Sequence, residues 1–177
     1  MRRLYYGLYM SSRYDKVEVL DYTKSTVLYS AQIQKCKPQI SIFRPSDEML
    51  CEELVALVTF HKLSSDIGIQ MRDGRQLNMK RKHILSKISR VENATFEWSW
   101  KGNDLISGNL RLIEDESNTV AKLIEASSWS RRGLGYIAIS GHFSSSIVDE
   151  IVVTGLAKLG YRLLGDKMLI RGELQGL

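Results

Sequence analysis

Apolar residues along most of this chain recur at every second position, the period of a strand with one buried face. Val17 to Leu20, Thr26 to Ile33, Gln39 to Phe43 and Leu54 to Leu63 read this way, as do Ile67 to Met71 and Gln76 to Lys80. Thr95 to Trp100 sets Phe96, Trp98 and Trp100 on one face, and Gly108 to Ile113, Thr119 to Ala126 and Gly133 to Ser140 complete the series. Polar turns separate the runs at Asp21 to Ser25, Lys101 to Asp104 and Glu114 to Asn118. Pro45 ends a run because proline lacks a donor, and Arg72-Asp73-Gly74-Arg75 supplies the positive φ angles of a tight hairpin. Ser46-Asp47 predicts the cap of a short helix through Glu53. About ten short strands at this spacing predict a closed or nearly closed antiparallel sheet.

The period changes after the serine triplet Ser144 to Ser146. Ile147 to Leu164 reads as one helix, apolar on nearly every side, which has to be surrounded by lipid or by its own protein. Ser146 and Asp149 have the spacing of a capping box. The unbroken apolar stretch runs only from Ile151 to Ala157 before Lys158 and Arg162 interrupt it, short of the roughly twenty residues a membrane span requires. Gly155 and Gly160 each cost about 1 kcal/mol in an isolated helix, and they fit a site where other chain packs close. Enclosure by the strands is the reading that follows.

The strand run with Phe96-x-Trp98, then Gly108 to Leu112, Val120 to Leu123, Gly133 to Ile137 and the closing Ile151-Val152-Val153-Thr154-Gly155-Leu156-Ala157, resembles the small fungal proteins with a tubby C-terminal-like domain. The likeness spans roughly Leu54 to Leu164. It implies one domain over 1–177, mainly β: a closed antiparallel barrel of about twelve strands around a hydrophobic C-terminal helix, near 147–164. Tubby proteins, LURP-one-related proteins and phospholipid scramblases share that fold. Tubby relatives bind phosphoinositide headgroups through basic residues, so the resemblance also implies an anionic lipid ligand. A fold alone does not fix an activity.

Composition changes this picture little. The 177 residues carry a net charge of +5, compatible with an anionic partner or simply with solubility. Cys36 and Cys51 form no CxxC pair and are too few for a disulfide framework, which favours a reducing compartment. The tyrosine-rich run at Met1 to Met10 is broken by Arg13, Asp15 and Lys16 before any signal-peptide core is complete. A cytoplasmic protein, peripheral to a membrane or nuclear, is expected.

Searching the sequence for chemistry yields no enzyme signature. Gly133-Leu134-Gly135-Tyr136-Ile137-Ala138 matches a dinucleotide fingerprint in letters, but a strand follows it where a helix is required, so the glycines read as a bulge or tight turn. His61, His83 and His142 lie in separate segments without metal-ligand spacing, so no metal or other cofactor is expected. The acidic pairs Glu52-Glu53, Asp115-Glu116 and Asp149-Glu150 read as a solvated face, a turn and a helix start. The two basic clusters stand out: Lys80, Arg81 and Lys82 in one, Arg131 and Arg132 beside Trp129 in the other. Lysine and arginine there can hold phosphate by charge and forked hydrogen bonds. A non-enzymatic barrel binding anionic lipid or a protein partner is the leading expectation. The alternatives are a nucleic-acid-binding or transcription-linked module, marked by steep salt dependence, and a carrier or enzyme with a pocket beside the helix.

Overall fold

The computed structural model describes residues 3–11, 15–46, 51–61, 66–81, 88–102, 109–114, 118–126 and 133–173, with backbone alone for residue 3 and for 165–173. Twelve strands run up and down in chain order: β1 (Arg3–Met10), β2 (Lys16–Leu20), β3 (Val27–Ile33), β4 (Ile40–Pro45), β5 (Glu52–Phe60), β6 (Ile67–Met71), β7 (Gln76–Arg81), β8 (Ile88–Glu92), β9 (Trp98–Gly102), β10 (Leu110–Glu114), β11 (Asn118–Glu125) and β12 (Gly133–Ser140). Each pairs antiparallel with the next, and β1 pairs with β12, so the sheet closes into a barrel without a free edge. Helix α1 (Ser145–Glu173) follows β12, enters at the end where that strand stops, and fills the interior. We call that end upper and the other lower. The mainly β, helix-filled barrel agrees with expectation.

Alternation makes the barrel. Leu8, Met10, Val17, Val19, Ile40, Ile42, Leu77, Met79, Trp98, Trp100, Leu112, Leu123, Ile137 and Ile139 are buried and meet Ile151, Val152, Val153, Leu156 and Ala157 of the helix. The intervening positions hold Lys16, Glu18, Gln70, Gln76, Lys80, Arg90, Glu92, Arg111 and Lys122 on the outer wall. Such a wall suits water, not acyl chains. No helix among the described residues is long and apolar enough to cross a membrane.

Glycine works at three places. Gly135 has φ +127° and lies where a side chain would strike the Ile124 carbonyl; the β1–β12 register shifts beside it, the bulge that the sequence suggested. A Cβ on Gly155 would sit 3.2 Å from Ile137 Cδ1 and 3.5 Å from Trp100. On Gly160 it would overlap Ile40 outright. Both glycines let the helix lie close to the wall.

Several expectations are corrected. The tyrosine-rich start is a strand: Leu4, Tyr6, Leu8 and Met10 face in, while Tyr5, Gly7 and Tyr9 face out. Apolar rings on both faces had concealed the alternation. Strand β8 was hidden for the opposite reason, since a serine, Ser89, faces inward and an isoleucine, Ile88, outward. Glu52 and Glu53 begin β5 instead of ending a helix; 47–50 lies outside the described residues. The helix starts at Ser145 and continues past Leu164. Its first turn is closed by the Ser144 carbonyl, which accepts from Ile147 and Val148 N–H at 3.1 Å each. Asp149 makes no capping box, because its carboxylate is engaged by the barrel wall.

Candidate functional site

At the upper end two adjacent carboxylates on the first turns of α1 meet groups from β3, β4, the β6–β7 turn and the β8–β9 turn. Tyr29 donates to Asp149 Oδ1 at 2.7 Å, and Arg44 Nη1 to Asp149 Oδ2 at 3.0 Å. Glu150, fully buried, accepts from the Thr95 N–H at 3.0 Å, from the Thr95 hydroxyl at 2.6 Å and from Arg75 Nη1. Arg75 also holds Asp73, whose carboxyl is kept below its ordinary value by hydrogen bonds from Arg75. Burial, then the bond to Asp149, push the Tyr29 hydroxyl well above its usual range. A cleft of about 250 Å³ opens between Arg44, Glu53, Arg72, Asp73, Arg75 and Asp149. Every cation lining it has a carboxylate partner. This end is a lock on the helix, and its charges answer each other.

The lower end is built differently. Tyr161 and Arg162 lie three and four residues beyond Lys158 along the helix, hence near it on the helix surface. Lys158 is only 6% exposed, and its amine donates to Ser89 Oγ of β8 at 2.7 Å. Arg81, the last residue of β7, faces inward and lies over the Tyr161 ring at 5.5 Å from its centroid. Tyr161 in turn meets Phe60 edge-on at 5.3 Å. Arg162 is paired with Glu125 at the foot of β11. Among the described residues neither Lys158 nor Arg81 faces a carboxylate. Burial first, then the charges of Arg81 and Arg162, pull the Lys158 amine down to about 8. A buried ammonium is normally held by an anion. Here a hydroxyl takes that place.

The connections extend the contrast. By sequence, those joining elements at the upper end carry Asp21, Asp47, Glu48, Asp73, Glu97, Asp115 and Glu116 against Lys24, Arg72 and Arg75. Those at the lower end carry Arg13, Lys35, Lys37, Lys62, Lys82, Lys87, Arg131 and Arg132 against Asp15, Asp66 and Asp104. Along the sequence, the upper connections thus hold seven acids against three cations, and the lower ones eight cations against three acids.

Of the residues singled out by sequence, Lys80 and Arg81 part company. Lys80 points outward and bridges Glu92 at 2.8 Å, whose hydrogen bond and charge raise its pKa. Arg81 points into the barrel mouth. Lys82, Arg131 and Arg132 lie outside the described residues, as do His83 and Trp129. β7 and β12, the strands flanking the two basic clusters, both have their basic-cluster ends at the lower rim. Sequence reasoning missed Lys158 and Ser89. The signal was a lysine seven residues into an apolar run, read there as its terminator. His61 is exposed beside Gly68, and His142 is exposed in the turn before the helix. The described residues hold no group of three metal-ligating side chains. No protein-family model, curated protein or solved structure matches this chain.

Proposed function

We propose that the chain is a tubby-like, non-enzymatic barrel that docks by its lower end on an anionic membrane surface and takes a phosphoinositide-like headgroup there. In this reading it is a cytoplasmic protein, peripheral to the membrane. The observation that carries the reading is the asymmetry of the connecting sequences: those between strands that meet at the lower end are rich in cations and those at the upper end in acids. Near anionic lipid each such cation contributes about 1 kcal/mol of attraction, so an excess of this size holds a barrel reversibly and yields to salt. Lys80, Arg81, Lys82, Arg131 and Arg132 are the proposed contacts, with Arg81 alone among the described ones reaching into the mouth. The apolar helix occupying the interior favours this surface role over a carrier with a pocket beside the helix.

Sedimentation with phosphatidylcholine vesicles, alone or with phosphatidylserine or a phosphatidylinositol bisphosphate, tests it. Binding to the anionic vesicles is expected, falling with salt and lost in the double variant Lys80→Glu, Arg81→Glu. Glu97→Lys, which adds positive charge at the upper end, leaves vesicle binding unchanged on this reading. Equal binding to neutral vesicles, or retention by the double variant, overturns it. A salt-steep affinity for single- or double-stranded nucleic acid without lipid binding supports the nucleic-acid alternative instead.

A further inference from the structure

The lower end poses a chemical question that surface docking does not answer. Lys158 is buried near cations, with Arg81 of β7 above the Tyr161 ring and Arg162 one helical turn on, and among the described residues only Ser89 Oγ of β8 lies within hydrogen-bond reach. Its exposure of 6%, with Ser89 at 1%, leaves no room for a phosphate ester to reach the amine, whereas a linear triatomic molecule needs far less. A desolvated lysine next to other cations is held partly neutral near physiological pH, and a neutral amine is a nucleophile.

We infer that Lys158 is a carbamylation site, its buried amine taking up carbon dioxide to give a carbamate held by Ser89 and Arg81. Neutral Nζ attacks the carbon of CO2; an N–C bond forms, one C=O π pair moves onto oxygen, and the amine proton passes to water. The balance is R–NH2 + CO2 → R–NH–COO− + H+, with no change of oxidation state. The product is an anion placed where Lys158 and Arg81 have no carboxylate among the described residues. Ser89 Oγ, an acceptor from the ammonium, becomes a donor to the carboxylate, and the Arg81 guanidinium gains a charge-assisted partner. Arg162 is already held by Glu125 and contributes at longer range. The modification stands independently of membrane docking. Its consequence rests on that reading: Lys158 passes from cation to anion, and the lower end loses two units of positive charge.

Bicarbonate labelled with carbon-13, equilibrated with the full-length protein near pH 8, is the probe. A protein-bound carbamate resonance is expected, and trapping with a trialkyloxonium reagent followed by peptide mapping places the ester on Lys158. Lys158→Arg, which keeps the charge and cannot form a stable carbamate, loses the trapped peptide, and Arg81→Gln lowers its yield several-fold. If Lys158→Arg fails to fold, Arg81→Gln and Ser89→Ala carry the same comparison from the outside of the helix. A wild type that yields no trapped Lys158 peptide, or a yield indifferent to both Arg81→Gln and Ser89→Ala, overturns the assignment. Vesicle binding is read separately, so failure of docking leaves the trapping result intact. Should docking hold, added bicarbonate weakens it in the wild type and not in Lys158→Arg.

Discussion

The two ends of the barrel bury charge in opposite ways. Above, Asp149 and Glu150 are drawn into the wall by Tyr29, Arg44, Arg75 and Thr95, and nothing is left over. Below, Lys158 has a serine for company and two arginines for neighbours. Buried ion pairs are costly to break and of small net benefit when made, while a lone buried ion is costly as it stands. The upper end therefore fixes where the helix begins, as a register device. The lower end keeps an unfavourable arrangement that packing alone does not require, which is the pattern of a functional position.

The sharpest way to break this comparison is to remove one carboxylate above. Glu150→Ala leaves Arg75 to Asp73 alone and takes the acceptor from both the Thr95 N–H and its hydroxyl, so a loss of about 2–3 kcal/mol is expected in urea unfolding. A loss below about 1 kcal/mol would mean that the upper network is decoration. Lys158→Met is expected to go the other way, stabilising by about 1–2 kcal/mol at pH 7, because relief of desolvation outweighs the hydrogen bond lost to Ser89. The pH dependence carries the same sign. With the folded-state value near 8 and the unfolded one at 10.5, the unfolded chain holds more protons between them, so this group's penalty is full below pH 8 and fades as pH rises to 10.5. The recovery is at most about 3 kcal/mol and is read as the wild-type-minus-Lys158→Met difference in stability across that window. A difference that stays constant with pH removes the buried amine from the account.

A smaller effect is expected at Tyr29. Tyr29→Phe takes one donor from Asp149 and leaves Arg44 in place, so a cost of about 1–2 kcal/mol follows, measured by the same unfolding curves. Least of all is Lys80→Gln, which removes an exposed bridge to Glu92 and should leave the thermal midpoint unmoved. A clear shift there would show that the outer wall shares the energetics of the mouth.

Much of the barrel was legible because its strands obey a simple alternation, and the enclosed helix because nothing charged interrupts Ile151 to Ala157. Where alternation failed, so did the reading. Tyr5 and Tyr9 put rings on the outside of β1, and Ser89 put a hydroxyl on the inside of β8 to meet a lysine 69 residues away. Local pattern has no access to such a pairing. Asp149 was misread for the same reason: its spacing from Ser146 fits a cap, yet Tyr29 and Arg44, distant in sequence, claim the carboxylate. The basic cluster was visible, but consecutive strand residues point to opposite faces, and that splits Lys80 from Arg81. Lys158 was legible as an oddity. What made it a site was the company that folding brings.

The closing seam between β1 and β12 sets a timetable for assembly. Arg3 pairs with Ser140, so the barrel cannot close until Ser140 has left the ribosome, and the helix that fills it is made later still. During synthesis, successive hairpins form from local contacts while their inward rows of leucine, isoleucine and tryptophan wait for a plug that does not yet exist. The nascent sheet is therefore at greatest risk of sticking to its neighbours in the interval between the emergence of β12 and that of Ile151 to Leu159. A chain stalled or truncated within that interval would be a hollow, greasy shell, and a ready client for chaperones.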